Sequence, residues 1–400
     1  MGSLRYTSHM PVLFRLLLPL LAVFALLQGC SSAPSAVPSA TVLEAASTSG
    51  VTIPSRRCAN YFLVDATING RGPFSMVLDT GASQTVVSPR VARLLNADTR
   101  PVNLYAEGSQ GQRQQVDHIL TVRTLALGTV ELRGFEAITL DLSRIQATLG
   151  AGVDGILGAP AFQDVLLTID YPGSAVRVAR SELPAVDGQR VLQLSSSDKP
   201  FVETGYGSTH RRFLLDTGKA GGFSVRDFDR QSFVNPPATI AHSVAIGGTY
   251  VLRAGRLNHD IALGDVTFQH PVVESSDASD LIGAEALKTF VVILDMGHRK
   301  VSLVGGGDRV VQFPPIRGIG IGFDYADGGW TVGSVFAGLP AETAGLEPGD
   351  AVIRLGGRRL RELACTRQQD LYLTGESIDV GVVRRRQRLN FQVPIITLVP

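Results

Sequence analysis

Apolar residues in this chain fall in short runs set off by Gly, Pro, Asn and Asp. Phe74-Ser75-Met76-Val77-Leu78, Val165-Leu166-Leu167-Thr168-Ile169, Phe213-Leu214-Leu215 and Phe290-Val291-Val292-Ile293-Leu294 are typical. Runs of this length, bounded by turn residues, predict strands. Helical pattern is confined to short pieces, such as Pro89–Leu95 and residues 283–288. The expectation is a mostly β protein.

Several of these runs end in an acid. Asp79-Thr80-Gly81 and Asp216-Thr217-Gly218 each follow an apolar run directly. A buried strand end is a costly place for a carboxylate unless another group shares its proton or hydrogen-bonds it. Two such sites imply that the carboxylates meet each other. The surroundings repeat as well. Asp216 follows Asp79 by 137 residues, and Leu263 of Leu263-Gly264 follows Leu127 of Leu127-Gly128 by 136. Leu281-Ile282-Gly283 follows Ile156-Leu157-Gly158 by 125. A nearly constant offset with one deletion is the trace of a tandem duplication.

The two Asp-Thr-Gly loops, each answered by a later apolar-apolar-Gly strand, resemble the pepsin-like and retropepsin-like aspartic proteases over residues 52–304. The spacing is similar to a single-chain fusion of two retropepsin-like β-barrel lobes, at residues 51–182 and 188–306, with the catalytic unit a monomer. The resemblance implies that Asp79 and Asp216 share one proton and activate a water against a peptide carbonyl, with no metal or cofactor. It implies that Thr80 and Thr217 brace the loops, and that Gly81 and Gly218 let them approach. Hairpins around residues 108–111 and at Gly247-Gly248 are flap candidates, with Tyr105 a flap contact. The expected substrate is a polypeptide. One departure is Lys219, where the family has a small residue. A cation pointing inward would favour a doubly ionised dyad. A second reading is therefore open: an inactive protease-like scaffold that binds envelope proteins.

After Val304 the chain changes character. Gly305-Gly306-Gly307 and Pro314-Pro315 break the pattern. Pro340-Ala341-Glu342-Thr343-Ala344-Gly345-Leu346-Glu347-Pro348-Gly349-Asp350 then resembles the signature of bacterial PDZ domains, an α+β module at residues 314–396. Pro340 is expected to start a short helix and Gly345 to end it. The resemblance implies that a peptide C-terminus binds at Gly318, Ile319, Gly320, Ile321, Gly322 and Phe323. It also implies that the module recruits protein substrates to the dyad, so that deleting residues 315–400 would impair full-length substrates and spare short peptides. In the inactive reading the same module binds envelope proteins or peptides.

At the N-terminus, Arg5 and Arg15 precede an apolar run at residues 16–27, too short for a comfortable membrane span. Leu27-Gln28-Gly29-Cys30 resembles a bacterial lipobox. That implies a signal peptide at residues 1–29, lipidation of Cys30, a disordered tether at 30–50 and a periplasm-facing membrane anchor, with the outer membrane favoured by Ser31. An exported compartment permits disulfides. Cys58 and Cys365 then either pair or stay reduced and buried. Among the seven His no metal-ligand spacing occurs, and a net charge of +1 argues against nucleic-acid binding. The run Arg384-Arg385-Arg386 reads as a solvated hairpin turn.

Overall fold

Each Asp-Thr-Gly strand runs parallel to the strand that crosses behind it, in the same register in both halves of the protein. In a computed structural model, Arg71–Asp79 pairs with Gly155–Gly158 so that Asp79 faces Gly158. Thr209–Asp216 pairs with Leu281–Gly283 so that Asp216 faces Gly283. The structure describes residues 41–43, 50–108, 111–195, 198–245, 248–305, 309–326, 329–366 and 368–400. Cys30, the signal segment and most of the tether lie outside them.

Among the described residues the strands form five sheets, and the protein is mostly β. A nine-stranded sheet builds the first half and a ten-stranded sheet the second. A six-stranded sheet joins them by pairing Leu166–Asp170 with Phe290–Asp295 antiparallel. Those are the two apolar runs that end in Asp170 and Asp295. One core continues across the junction, from Phe62, Met76 and Leu78 through Ile169 and Val292 to Phe213 and Phe290. Burying each such side chain contributes roughly 1.5–3 kcal/mol, so the halves are held by core, not by a hinge.

Helices are few and short. Pro89–Leu95 begins where Ser88 accepts a hydrogen bond from Val91 N and Pro89 fixes the first turn, and it ends at Asn96 in the left-handed region. Ala284–Leu287 is a single turn within the stretch expected to be helical. Ser143–Leu149 is a helix the pattern does not announce. No side chain caps its start, and it ends at Gly150, with Ala147 and Leu149 turned inward.

The C-terminal module has its own core of Ile319, Ile321, Phe323, Val332, Val380 and Val393. Pro340–Thr343 is helical, Gly345 has φ +87, and a strand starts at Ala351. The module is bound to both halves. A disulfide joins Cys58 to Cys365, and Ala59 N donates to Cys365 O at 2.8 Å. Val310–Gln312 extends the second-half sheet beyond the expected boundary at 306. Leu398 and Val399 pack with Ile240, Leu252 and Ala254 of the second half.

Candidate active site

The two Asp-Thr-Gly loops meet tip to tip, with four hydrogen bonds between their threonines and the opposite strands. Thr80 Oγ1 donates to Leu215 O at 2.7 Å and accepts from Thr217 N at 3.1 Å. Thr217 Oγ1 donates to Leu78 O at 2.8 Å and accepts from Thr80 N at 3.0 Å. Both threonines are buried. The glycines explain the close approach. A Cβ on Gly81 would lie 2.6 Å from Asp216 Cγ, and one on Gly218 would collide with the Asp79 carboxyl. The crossing strands back the loops in the same way: a Cβ on Gly158 would stand 2.8 Å from Ala82 O, and one on Gly283 2.7 Å from Lys219 Cγ.

The loops bring Asp79 and Asp216 into hydrogen-bonding reach of each other. Each carboxylate also accepts from its own loop: Asp79 Oδ1 from Gly81 N at 2.9 Å, Asp216 Oδ1 from Gly218 N at 2.9 Å. Burial raises the pKa of Asp79 well above the usual carboxylate value, and the facing charge of Asp216 adds to the rise. Burial also raises Asp216, while the hydrogen bond from Asp79 and the Lys219 cation pull it back. The pair therefore holds one proton over a wide pH range and titrates as a unit.

Lys219 does not reach solvent, and its charge acts on Asp216. Its Nζ pairs with Glu274 in the strand Val272–Ser275, and the side chains are only 11% and 10% exposed. Burial disfavours the lysine charge, but Glu274, Tyr250 and Asp216 together outweigh burial and raise its pKa. The dyad thus sits beside a neutral pair in place of a bare cation. Glu274 is a site residue that the local motif does not point to. Its one sequence signal is an acid that directly follows the apolar run Pro271-Val272-Val273.

Tyr61 and Asn60 are further residues outside the motif. Asn60 Nδ2 crosses between the halves to Ala220 O at 2.8 Å and Glu285 Oε2 at 3.0 Å. The half-buried Tyr61 is raised in pKa by burial and then by Asp216. Register places Lys199 opposite it. Leu63 pairs with Val77 as Phe201 pairs with Leu214, so Tyr61 and Lys199 hold equivalent positions, and the Lys199 charge reaches both carboxyls.

Two hairpins arch toward the dyad, Thr99–Glu107 with Arg113–Leu127 and Ala238–Ala245 with Gly248–Arg256. Their tips meet, since a Cβ on Gly248 would stand 3.5 Å from Gln112 Cγ. Residues 109–110 and 246–247 lie outside the described residues. Tyr105, expected as a flap contact, is 56% exposed, while Val102, Leu104 and Ala106 on the other face of its strand pack against the first-half cluster that includes Val77 and Val86.

The segment expected to bind a peptide C-terminus lies between the module core and the second hairpin. Ile319, Ile321 and Phe323 are turned into the module core. Gly318 pairs with Ile396, Gly320 O accepts from Phe336 N, and Gly322 lies under the ring of His242 from the second hairpin. Ile321–Ala326 ends the order of its sheet, and Ala238–Ala245 of the second hairpin lies against it. Among the described residues no cluster of His, Cys, Asp and Glu is arranged to hold a metal ion.

A family model described as an aspartyl protease matches residues 64–161, the stretch from the strand before Asp79 to the turn after the crossing strand. Over that stretch the chain is similar to the aspartyl proteases. No curated protein matches the chain. The aspartyl protease match rests on the first loop alone. The second loop is tied to it by the threonine bonds and by the equal register of Gly158 with Asp79 and Gly283 with Asp216.

Proposed function

We propose that the protein is an aspartic endopeptidase in which Asp79 and Asp216 act as one acid–base pair on an extended polypeptide. The observation that carries this reading is the meeting of two buried carboxyls across a brace of four threonine hydrogen bonds. Two carboxyls so close cannot both ionise cheaply, so one keeps its proton. The protonated carboxyl of the pair donates to the scissile carbonyl oxygen, and the ionised one takes a proton from the attacking water, the proton belonging to the pair and not to either residue. Roles then exchange as the tetrahedral intermediate collapses and the amine leaves. The meeting hairpins are the lids that exclude bulk water.

The C-terminal module is proposed to act as a PDZ-type domain that takes a peptide as an added strand along Ile321–Ala326. Cys30 is proposed as a lipid anchor facing the periplasm, on the strength of the apolar run and the Leu-x-Gly-Cys motif before it. The test is incubation of the purified protein with unfolded polypeptides from acidic to neutral pH. Cleavage that disappears in both Asp79→Asn and Asp216→Asn supports the dyad, and cleavage that survives either one overturns it.

A further inference from the structure

The two flanks of the dyad are built on one register but lined by opposite chemistry. Counting from the crossing glycines, Ile156 and Leu281 are equivalent. Ile156 pairs with Val86 and Val86 with Ile138; Leu281 pairs with Ser224 and Ser224 with Glu274. Partners across a ladder face the same side of the sheet. The third residue after each aspartate is Ala82 in one half and Lys219 in the other. So Ala82, Val86 and Ile138 in the first half become Lys219, Ser224 and Glu274 in the second. The first set belongs to an apolar cluster that includes Leu104 and Ala106 of the first hairpin. In the second, the Ser224 hydroxyl is buried without a hydrogen-bond partner. Tyr250 of the second hairpin lies close enough for its charge to act on Lys219. A polar hollow of about 730 Å³, lined by Arg226, Tyr250, Ser275 and Asp277, includes the chain neighbour of Glu274 and the same Tyr250.

We infer that this second-half pocket, beside Asp216, selects a neutral carboxamide or hydroxyl side chain of the polypeptide, while its first-half counterpart takes an apolar one. The inference rests on the peptide-binding reading of the cleft. Lys219 and Glu274 cancel as a unit, so an incoming third charge would remain uncompensated in a desolvated place. An apolar side chain would leave the Ser224 hydroxyl unpaired. A carboxamide satisfies the site, because it can donate to the free lone pairs of Glu274 and accept from the Ser224 hydroxyl or a second Lys219 N–H. The lining thus gives a two-fold site a direction, and the chain would bind in one polarity.

The experiment is affinity selection from a degenerate decapeptide pool on the Asp79→Asn protein, with the retained peptides sequenced. This reads binding without turnover. The expected result is one position enriched about tenfold in Gln, Asn, Ser or Thr, equivalent to roughly one hydrogen bond to a charged partner, and a nearby position enriched in Leu, Ile, Val or Phe. Lys219→Ala/Glu274→Ile/Ser224→Val should turn both positions apolar. Ser224→Ala, which leaves the ion pair in place, should weaken the polar enrichment by itself if the triple variant does not fold. Apolar enrichment at both positions in the parent, or no retained peptides, overturns the inference. Polar enrichment in a protein whose unsubstituted form cleaves nothing would leave the pocket standing and remove the peptidase reading instead.

Discussion

Thr80 and Thr217 each give a hydroxyl proton to the opposite strand and take an amide proton from one another. No apolar residue of the same shape can do both. Thr80→Val is therefore expected to leave Thr217 N–H and Leu215 C=O buried and unpaired. The cost is about 2–6 kcal/mol at 1–3 kcal/mol per orphaned group. Thr80→Ser keeps the hydroxyl and should cost under about 1 kcal/mol. Denaturant unfolding of both variants checks this, and equal stabilities would show that the brace is decorative.

The dyad also predicts how stability depends on pH. Asp79 is raised by burial and by Asp216. In the unfolded chain its pKa returns to about 3.9. Below that value both states are protonated and nothing is lost. As pH climbs, the unfolded carboxyl ionises first, so stability falls until the pH passes the folded pKa. Asp79→Asn removes this dependence. The variant should match the parent near pH 3 and exceed it at neutral pH, by about 1.4 kcal/mol for each unit of the shift. Melting curves across pH measure it, and a gain of the same size at pH 3 and pH 7 would contradict the proton-sharing account. Activity should fall over the same rise, because catalysis needs the shared proton.

The disulfide ties residues 307 apart in sequence. Closing so long a loop restricts the unfolded chain, and removing a natural disulfide typically costs about 2–5 kcal/mol. Cys58→Ala/Cys365→Ala is expected to melt lower than the parent by such an amount and to be unaffected by reductant, while the parent drops on reduction. A parent indifferent to reductant would show that the bond contributes nothing in solution.

The strands around each aspartate were legible because the signal is local: an apolar run, then Asp-Thr-Gly, then a recurring offset. What escaped was set by contacts between distant segments. Glu274 pairs with Lys219 across 55 residues, and no local pattern says that a lysine after Asp-Thr-Gly will be neutralised by an acid in another strand. Tyr105 was named for its nearness to the hairpin tip, whereas the alternation of Val102, Leu104 and Ala106 puts it on the exposed face. The helix Ser143–Leu149 lacks a side-chain cap and exposes much of its surface. Arg384 was read as part of a solvated turn, yet its guanidinium bonds Asp350 at 2.6 Å, and Arg385 and Arg386 alone form the turn.

The C-terminal module was expected to act as a recruiting arm, so that deleting residues 315–400 would spare short peptides and impair full-length substrates. Its packing predicts otherwise. Deletion strips Leu398 and Val399 from Ile240 and Leu252 and removes the carbonyl of Pro400 from Arg256. It also takes Ser334 from His242, whose Nε2 it meets at 3.0 Å. All of these contacts lie on the second hairpin, Ala238–Ala245 with Gly248–Arg256, which carries Tyr250 over the site. Truncation before residue 315 should therefore lower kcat/KM for peptides and proteins alike, with a lower melting temperature. A point variant separates the roles: His242→Ala keeps the module in place but frees Gly322, and should affect both substrate classes to a smaller extent. Measuring kcat/KM on one peptide and one unfolded protein for each form decides it. Peptide cleavage that is unchanged by truncation would restore the module to a recruiting role and show that the hairpin holds its shape without it.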